Sequence, residues 1–412
     1  MNPDRTVLII GGKLKIVQKA RALGLDVVHI QVKEQYGPAH QELVAGALLG
    51  DYTDWRVLRP LATAAHEAWG FAAALSLTEP GLDPTGRVND LLALGGTSYE
   101  VSHRFTDKAL MREHLAAAGV PGPAHALLRE PADLAAFGAA HGYPFIVKPT
   151  AVTASFGVIE VTGEDKLDAV WARIDELRRE GANQWARFFP VGDFLAEEFL
   201  DGPEYSVESF SFAGRHVVIA VTEKAVLGTG FVELGHALPA RLDPALEQAV
   251  VEATVTFLDA MGLADGPAHT EIKLTARGPR VVESHNRVGG DRINEMVHAA
   301  YGIDLDTYTI GWPFRLVEEL PDRPEPKRAA ATRFLIGTPG RVTEVRGVEE
   351  VRADPSVVAF DFDIAPGATV NPLRGNWDRL GQLVVTGEDT SAAIATCERL
   401  TGSVEVVTGG KA

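Results

Sequence analysis

The stretch from Ala268 to Ile293, AHTEIKLTARGPRVVESHNRVGGDRI, sets two glutamates, an arginine and a glycine pair within one short segment. Residues 268–274 and 280–285 alternate polar and apolar as two strands do, and TARGP between them has turn composition, so the segment predicts a β-hairpin. A connection with an odd number of residues, such as Thr275 to Pro279, sets Glu271 opposite Glu283 and His269 opposite His285 on one face of the sheet. Carboxylates placed like this, with Cβ atoms about 4.5–5.5 Å apart, repel each other. A divalent cation relieves that repulsion, and Mg²⁺ favours one or two carboxylates together with phosphate oxygens. This reading predicts a Mg-nucleotide site. A connection of even length sends the glutamates to opposite faces and leaves a solvated, charged hairpin, and the hairpin alone leaves both readings open.

Lys148 ends the apolar strand FIV and is followed by Pro149 and the small residues Thr150, Ala151, Thr153, Ala154, Ser155 and Gly157. Small residues let backbone N–H groups close on phosphate oxygens, and a lysine at the loop's base adds a point charge. The sequence is not a Walker A motif, because GxxxxGK[ST] is nowhere in the chain. In LAEEFLDGPEYSVE an extended backbone points Glu197 and Glu198 to opposite faces, so only one can meet a ligand. A strand edge lined by Leu195, Phe199 and Leu200 can offer main-chain groups to a flat heterocycle, and Glu204 can accept from a sugar's hydroxyls. From these residues alone, an amphipathic strand with an acidic outer face is the favoured reading.

The elements that must position these groups fill a chain of 412 residues, which is too long for one ordinary core. At 46% hydrophobic and 23% charged it has the composition of a globular enzyme. A net charge of −17 argues against nucleic acid or an anionic membrane as the main partner. Cys397 is the single cysteine, which excludes an internal disulfide, and with no signal-peptide pattern and no long apolar run the expectation is a cytoplasmic protein.

TVLIIGG, the segment Ile16 to Leu23, DVVHIQV and FAAALSLTEP read as an open, mostly parallel α/β layer over residues 1–100. Gly11 and Gly12 end its first strand, but without GxGxxG a dinucleotide site is not expected. Residues 101–325 form the expected central unit. It opens on a helix with Thr106 as N-cap, an apolar face of Leu110, Met111 and Leu115, and Lys108 in its first turn. A small α+β lid over about 124–200 follows, with a helix around Lys166 to Glu180. A catalytic half over about 201–325 then holds antiparallel strands, a loop containing Gly228, Gly230 and Gly235, and a helix around Pro244 to Met261. LPDRPEPKRAA reads as a connection to a C-terminal α+β unit, 326–412.

Taken in order, a lysine at a helix start, strand-Lys-Pro with a small-residue loop, EEFLDGPEYSVE, and two glutamates before an arginine resemble the ATP-grasp ligases over nearly the whole chain. FVELGHALPA, HTEIK, ESHNRVGGDRI and RFLIGTPGRV resemble more narrowly the L-amino-acid ligase group, which includes dipeptide ligases, carnosine synthase and antibiotic-pathway amide ligases. The resemblance implies an ATP-grasp fold behind a Rossmann-like N-terminal domain. It implies that Lys108, Lys148 and the loop with Thr153, Ser155 and Gly157 meet the ATP phosphates. Glu197, Glu198, Phe199, Leu200 and Lys273 would line the adenine site, with Glu204 on the ribose. Glu271 and Glu283 would hold Mg²⁺ or Mn²⁺, Arg287 the transferring phosphoryl group. Glu233, His236, Gly289, Gly290 and Asp291 would surround the acyl-donor substrate, with Glu79 from the N-terminal TEPGL turn nearby.

His285 stands where many members carry asparagine, and Asn286 is displaced by one. Imidazole is a poorer Mg²⁺ ligand than an amide oxygen, so His285 is expected to orient a metal-bound water or carboxylate more than to ligate. Asp291 reads either as an ammonium receptor or as the N-cap of a helix beginning RINEMV. The implied activity is ATP-dependent joining of a small carboxylate to an amine through an acyl phosphate, by a homodimer. Acyl transfer to a carrier-protein thiol and nucleotide binding without catalysis are the alternatives.

Overall fold

The structure, a computed structural model, describes residues 2–180, 188, 191–226 and 232–409. Thr6–Ile10 is buried at every position, which suits a β-branched strand covered on both faces. It lies at the centre of a parallel sheet with Asp26–Gln31 and Gly46–Leu49 on one side and Ala73–Leu75 on the other. The expected parallel α/β layer is therefore present. Gly11 (φ 66°) turns the chain out of this sheet, and a Cβ there would stand 2.8 Å from the Tyr52 ring, so only glycine fits the turn.

The helix Lys108–Ala117 is capped by Asp107, whose carboxylate accepts from the N–H groups of Ala109 and Leu110 at 2.9 and 3.0 Å. Thr106 is not the cap. It closes the preceding helix Tyr99–Thr106 and donates its hydroxyl to Asp83 at 2.9 Å. The Asp107 carboxylate reaches two orphan N–H groups at once, which a threonine one residue earlier cannot do.

Residues 125–198 build a four-stranded antiparallel sheet in the order His125–Leu128, Phe194–Glu198, Phe145–Pro149, Ile159–Val161. Helices Pro131–His141 and Leu167–Glu180 cover it, around a core that includes Phe137, Phe145, Ile174 and Phe194. Pro149 ends the first ligand-facing strand because it can donate nothing to a ladder.

The main sheet has eight antiparallel strands, in the order Gly278–His285, Gly266–Thr275, Glu204–Phe212, Arg215–Val226, Glu233–Leu238, Ala329–Leu335, Gly381–Gly387, Val357–Phe362. Its last three strands come from the C-terminal third, so that part of the chain continues the central sheet, joined where Gly235 faces Arg333. Gly235 lies within a strand here, not in a loop; Gly228 and Gly230 fall outside the described residues. Close approach explains the glycine, since a Cβ on Gly235 would sit 2.2 Å from the Thr332 carbonyl oxygen. Helix Pro244–Met261, with Asp243 as its cap, packs Val250, Phe257 and Leu258 under the sheet.

The hairpin sets His269 opposite His285 and Glu271 opposite Glu283. Its turn is not the expected odd one: Thr275 pairs with Gly278, leaving the two residues Ala276 and Arg277. Alone, that even turn would set Glu271 against Val282. A β-bulge just beyond Glu271 takes up Val282 as an extra, unpaired residue and carries Glu283 across from Glu271. The expected face is reached through a different device.

Candidate functional site

Two adjoining cavities, of about 220 and 1000 Å³, open beside this hairpin, and Lys224, Glu233, Glu271 and Glu283 line both. The smaller one lies between the lid sheet and the main sheet. Lys108, Lys148, Ser155, Phe199, Leu200, Glu204 and Lys273 line it, so most of the residues singled out for a nucleotide converge there. The Lys273 ammonium lies 5.3 Å from the centre of the Phe199 ring. Ala154, Ser155 and Gly157 all adopt positive φ, which turns backbone N–H groups of the small-residue loop toward a common concavity. Thr153 and Ala154 reach the larger cavity instead.

Charges in the smaller cavity are paired strand to strand. Lys148 sits 2.6 Å from Glu197, and Lys108 sits 3.1 Å from Glu283 while donating to the Val152 carbonyl at 2.8 Å. Arg112 donates to Glu197 at 2.6 Å and, with Lys148, to the carbonyl of the bulged Val282. Burial opposes ionisation of Glu197, but Arg112 and Lys148 hold its pKa down to about 2. Its two oxygens are thus engaged with Arg112 and Lys148, and the side chain lines the smaller cavity. Glu198 pairs with Arg277 and accepts from the Ala124 N–H, and it too lines the smaller cavity.

Lys224 was not singled out by the sequence reading. Its ammonium, on a side chain 2% exposed, lies 2.7 Å from Glu271, 2.8 Å from Glu204 and 2.9 Å from Glu233. Burial penalises that charge, and the three carboxylates outweigh the penalty, raising its pKa well above the usual value. Burial likewise opposes ionisation of Glu271, but Lys224, with His269 assisting against the Glu283 charge, keeps it ionised with a pKa of about 2. Glu283 is held well below the usual carboxylate range, against its own burial, by Lys108, His285 and Lys148. Two ionised carboxylates on one face, with cations already drawn to them, make a donor set suited to a hard divalent ion.

Behind them lies a second set of groups. His269 Nδ1 bonds both oxygens of the fully buried Glu208 at 2.9 and 3.0 Å, and its Nε2 is 3.6 Å from Glu271. Gly289 packs on this pair, since a Cβ there would be 2.8 Å from His269 Nδ1. His285 bridges Glu79 (3.0 Å) and Glu283 (3.3 Å), and Glu79 also accepts from Arg287 Nε. His285 therefore orients the Glu283 carboxylate, as the residue chemistry implied. Burial raises the cost of ionising Glu79, but His285 and Arg287 bring its pKa to about 2.

The larger cavity is lined by Glu79, Glu233, His236, Arg287, Gly289, Gly290 and Asp291, and the N-terminal turn at Gly12 also reaches it. Asp291 is not a helix cap. The helix Ile293–Tyr301 follows a left-handed Arg292 with no side-chain cap, and Asp291 instead takes both guanidinium nitrogens of Arg379 at 2.9 and 3.0 Å. Asn376 grips Glu233, accepting from its N–H at 3.0 Å and donating to its carboxylate at 3.1 Å. Glu233, His236 and Asp291 have ligand atoms within 4.8 Å of one another. Arg379 pairs with Asp291, while Glu233 shares the Lys224 ammonium with Glu204 and Glu271.

Residues 141–295 match the ATP-grasp domain, and residues 333–409 match the L-amino acid ligase C-terminal domain 2. The chain carries an ATP-grasp domain. It is 28% identical over 253 residues to the alanine–anticapsin ligase of Bacillus subtilis (strain 168), covering 58% of this chain and 53% of that one. Human carnosine synthase 1 is 33% identical over 131 residues, which are 32% of this chain and 16% of that protein. The chain thus spans about half, or less, of the length of these named relatives. The crystal structure of an L-amino acid ligase from Bacillus licheniformis superposes with a TM-score of 0.84 at 22% identity, over 100% of both chains, which establishes the ATP-grasp fold.

The smaller cavity was largely legible because its residues lie on contiguous ATP-grasp strands. Arg112, Lys224, Asn376 and Arg379 were missed. Lys224 had one signal, a lysine within the apolar strand HVVIAVTEKAV, where burial demands partners. Arg379 and Asn376, in the irregular run GNWDRL, had none.

Proposed function

We propose that this chain is an ATP-dependent carboxylate–amine ligase that forms an amide or dipeptide bond on an amino acid or a derived metabolite, releasing ADP and phosphate. One observation carries the reading: the two cavities meet at Glu271, Glu283, Lys224 and Glu233. A γ-phosphate entering from one side and a carboxylate entering from the other would come together at that wall.

Lys108, Lys148 and the loop 153–157 would cradle the phosphates, Phe199, Leu200 and Lys273 the base, and Glu204 the ribose. Glu271 and Glu283 would hold Mg²⁺ or Mn²⁺. When bound, such an ion screens charge between phosphate oxygens in the in-line transfer. A substrate carboxylate oxygen attacks the γ-phosphorus, the bond to the bridging oxygen breaks, and ADP leaves. Arg287, fixed by Glu79, would face the charge on the transferred group. The amine then attacks the acyl carbon, gives up a proton, and phosphate departs with the former carboxylate oxygen. Glu233 would receive a substrate ammonium. No protein nucleophile is required.

The reading extends to a cytoplasmic homodimer divided near residues 100 and 325. No helix among the described residues is long and apolar enough to cross a membrane. Pairs of amino acids and small carboxylates, supplied with ATP and Mg²⁺, test the activity through phosphate release. ADP formed only when both a carboxylate and an amine are present is the expected result, and AMP as product would overturn it.

A further inference from the structure

The wall of the larger cavity contains two acids that the protein neutralises to different degrees. Glu233 shares a single ammonium, Lys224, with Glu204 and Glu271, and its other oxygen accepts only the neutral amide of Asn376 at 3.1 Å. Asp291 takes two parallel N–H···O bonds of 2.9 and 3.0 Å from Arg379, whose guanidinium also donates to the Glu233 main-chain carbonyl at 3.4 Å, and His236 Nε2 stands 3.3 Å from the Asp291 carboxylate.

Arg379 cannot swing away from this pairing. Its Nε donates to the Asn376 carbonyl at 2.8 Å, its guanidinium carbon lies 3.5 Å from the centre of the Phe334 ring, and its side chain is 12% exposed. Gln382 pins the left-handed Asp291 backbone (φ 48°) by donating to its carbonyl and to Thr332 Oγ1. A bidentate Arg–carboxylate pair so fixed presents no net charge to the cavity. Glu233 retains most of its charge.

Resting on the ligase reading above, we propose that Arg379 is a specificity-determining positioning residue: by cancelling Asp291 it makes this end of the cavity select an amino acid with an uncharged side chain and reject a cationic one. An ammonium arriving beside the Asp291–Arg379 pair loses its hydration and meets as much repulsion as attraction. The α-ammonium of the same substrate is drawn to Glu233 instead.

The test compares wild type, Arg379→Met, Arg379→Lys and Asp291→Asn, each assayed by phosphate release with alanine-like and with diamino substrates as the varied amino acid. In Arg379→Met, with Asp291 left unpaired, the ratio of kcat/KM for diamino over neutral substrate should rise by about tenfold or more, through KM, with KM for ATP unchanged. Arg379→Lys should restore most of the wild-type ratio. Asp291→Asn, which frees Arg379, should move preference the opposite way, toward carboxylate-bearing side chains. If Arg379→Met is too unstable to assay, the Asp291→Asn shift alone decides. Equal losses on all amino acids, with the ratios fixed, would overturn the proposal and leave Arg379 a purely structural residue. A wild type that binds ATP but releases no phosphate with any pair would count against the ligase reading alone, and the same ratios are then read as amino-acid Kd values by calorimetry.

Discussion

In the smaller cavity the buried carboxylates meet lysines: Glu197 with Lys148, Glu283 with Lys108, and Glu204 and Glu271 with Lys224. The larger one adds acids held by arginines, Glu79 with Arg287, Asp291 with Arg379 and Asp361 with Arg292, beside Glu233, Glu295 and Asp306, which meet lysines. A lysine is a point charge on a flexible stem, able to turn from a carboxylate to an incoming phosphate, whereas a guanidinium fork holds its partner in one plane. The smaller cavity therefore carries exchangeable counter-charges, and the larger one adds arginine-held acids whose shape is prebuilt. The difference suits a ligand that brings its own charge against one that must be recognised by form.

The comparison breaks most visibly at Lys148. Lys148→Ala should slow ADP formation by roughly a hundred- to a thousandfold, the scale of losing a charge-stabilising donor, while amino-acid binding measured by calorimetry stays as in the wild type. Loss of amino-acid binding as well would mean that the two cavities act as one.

A second probe touches only the N-terminal rim of the larger cavity. His29 Nε2 bonds the Gly11 carbonyl at 3.0 Å, and burial pushes the His29 pKa down to about 4 despite that bond. The folded pKa lies below the unfolded one of about 6.5, so the unfolded chain takes the proton first. Stability is then complete above pH 6.5 and is lost as pH falls toward 4, by up to about 3 kcal/mol. Denaturant titrations across that range should show the slope in wild type and not in His29→Gln.

Gly289→Ala sharpens the contrast further. The added Cβ would press on His269 and Glu208, at 2.8 and 3.2 Å, and the displaced turn should cost about 2 kcal/mol and raise KM for the amino acid. Affinity for ADP, from calorimetry, should hold. Lys273→Met is the smallest change: losing the ammonium 5.3 Å from the Phe199 ring should weaken ADP binding by about 0.5–1 kcal/mol, with amino-acid KM unaltered.

The same contrast explains what could be read from the sequence. The resemblance to ATP-grasp ligases placed Lys148, Glu204, Glu271 and Glu283 around one space, whereas strand periodicity alone left the face of the two hairpin glutamates open. Neither fixed the turn: Thr275 to Pro279 looked like an odd loop, and the observed face depends on a bulge that leaves no mark in composition. Arg379 reaches Asp291 across 88 residues of chain, and no local pattern encodes such a meeting. The C-terminal strands looked like a separate unit because nothing in RFLIGTPGRV says which sheet it joins.

The strand Gly278–His285 is the outermost of the eight-stranded sheet, where unpaired backbone groups invite another chain to add on. The extra residue Val282 kinks that border, and its carbonyl is already taken by Arg112 and Lys148. Deleting Val282 would keep Glu271 facing Glu283, since the even turn would then suffice, but it would straighten the border and free a site for strand addition. The irregularity in this hairpin thus blunts an open sheet border at the place where the two cavities meet.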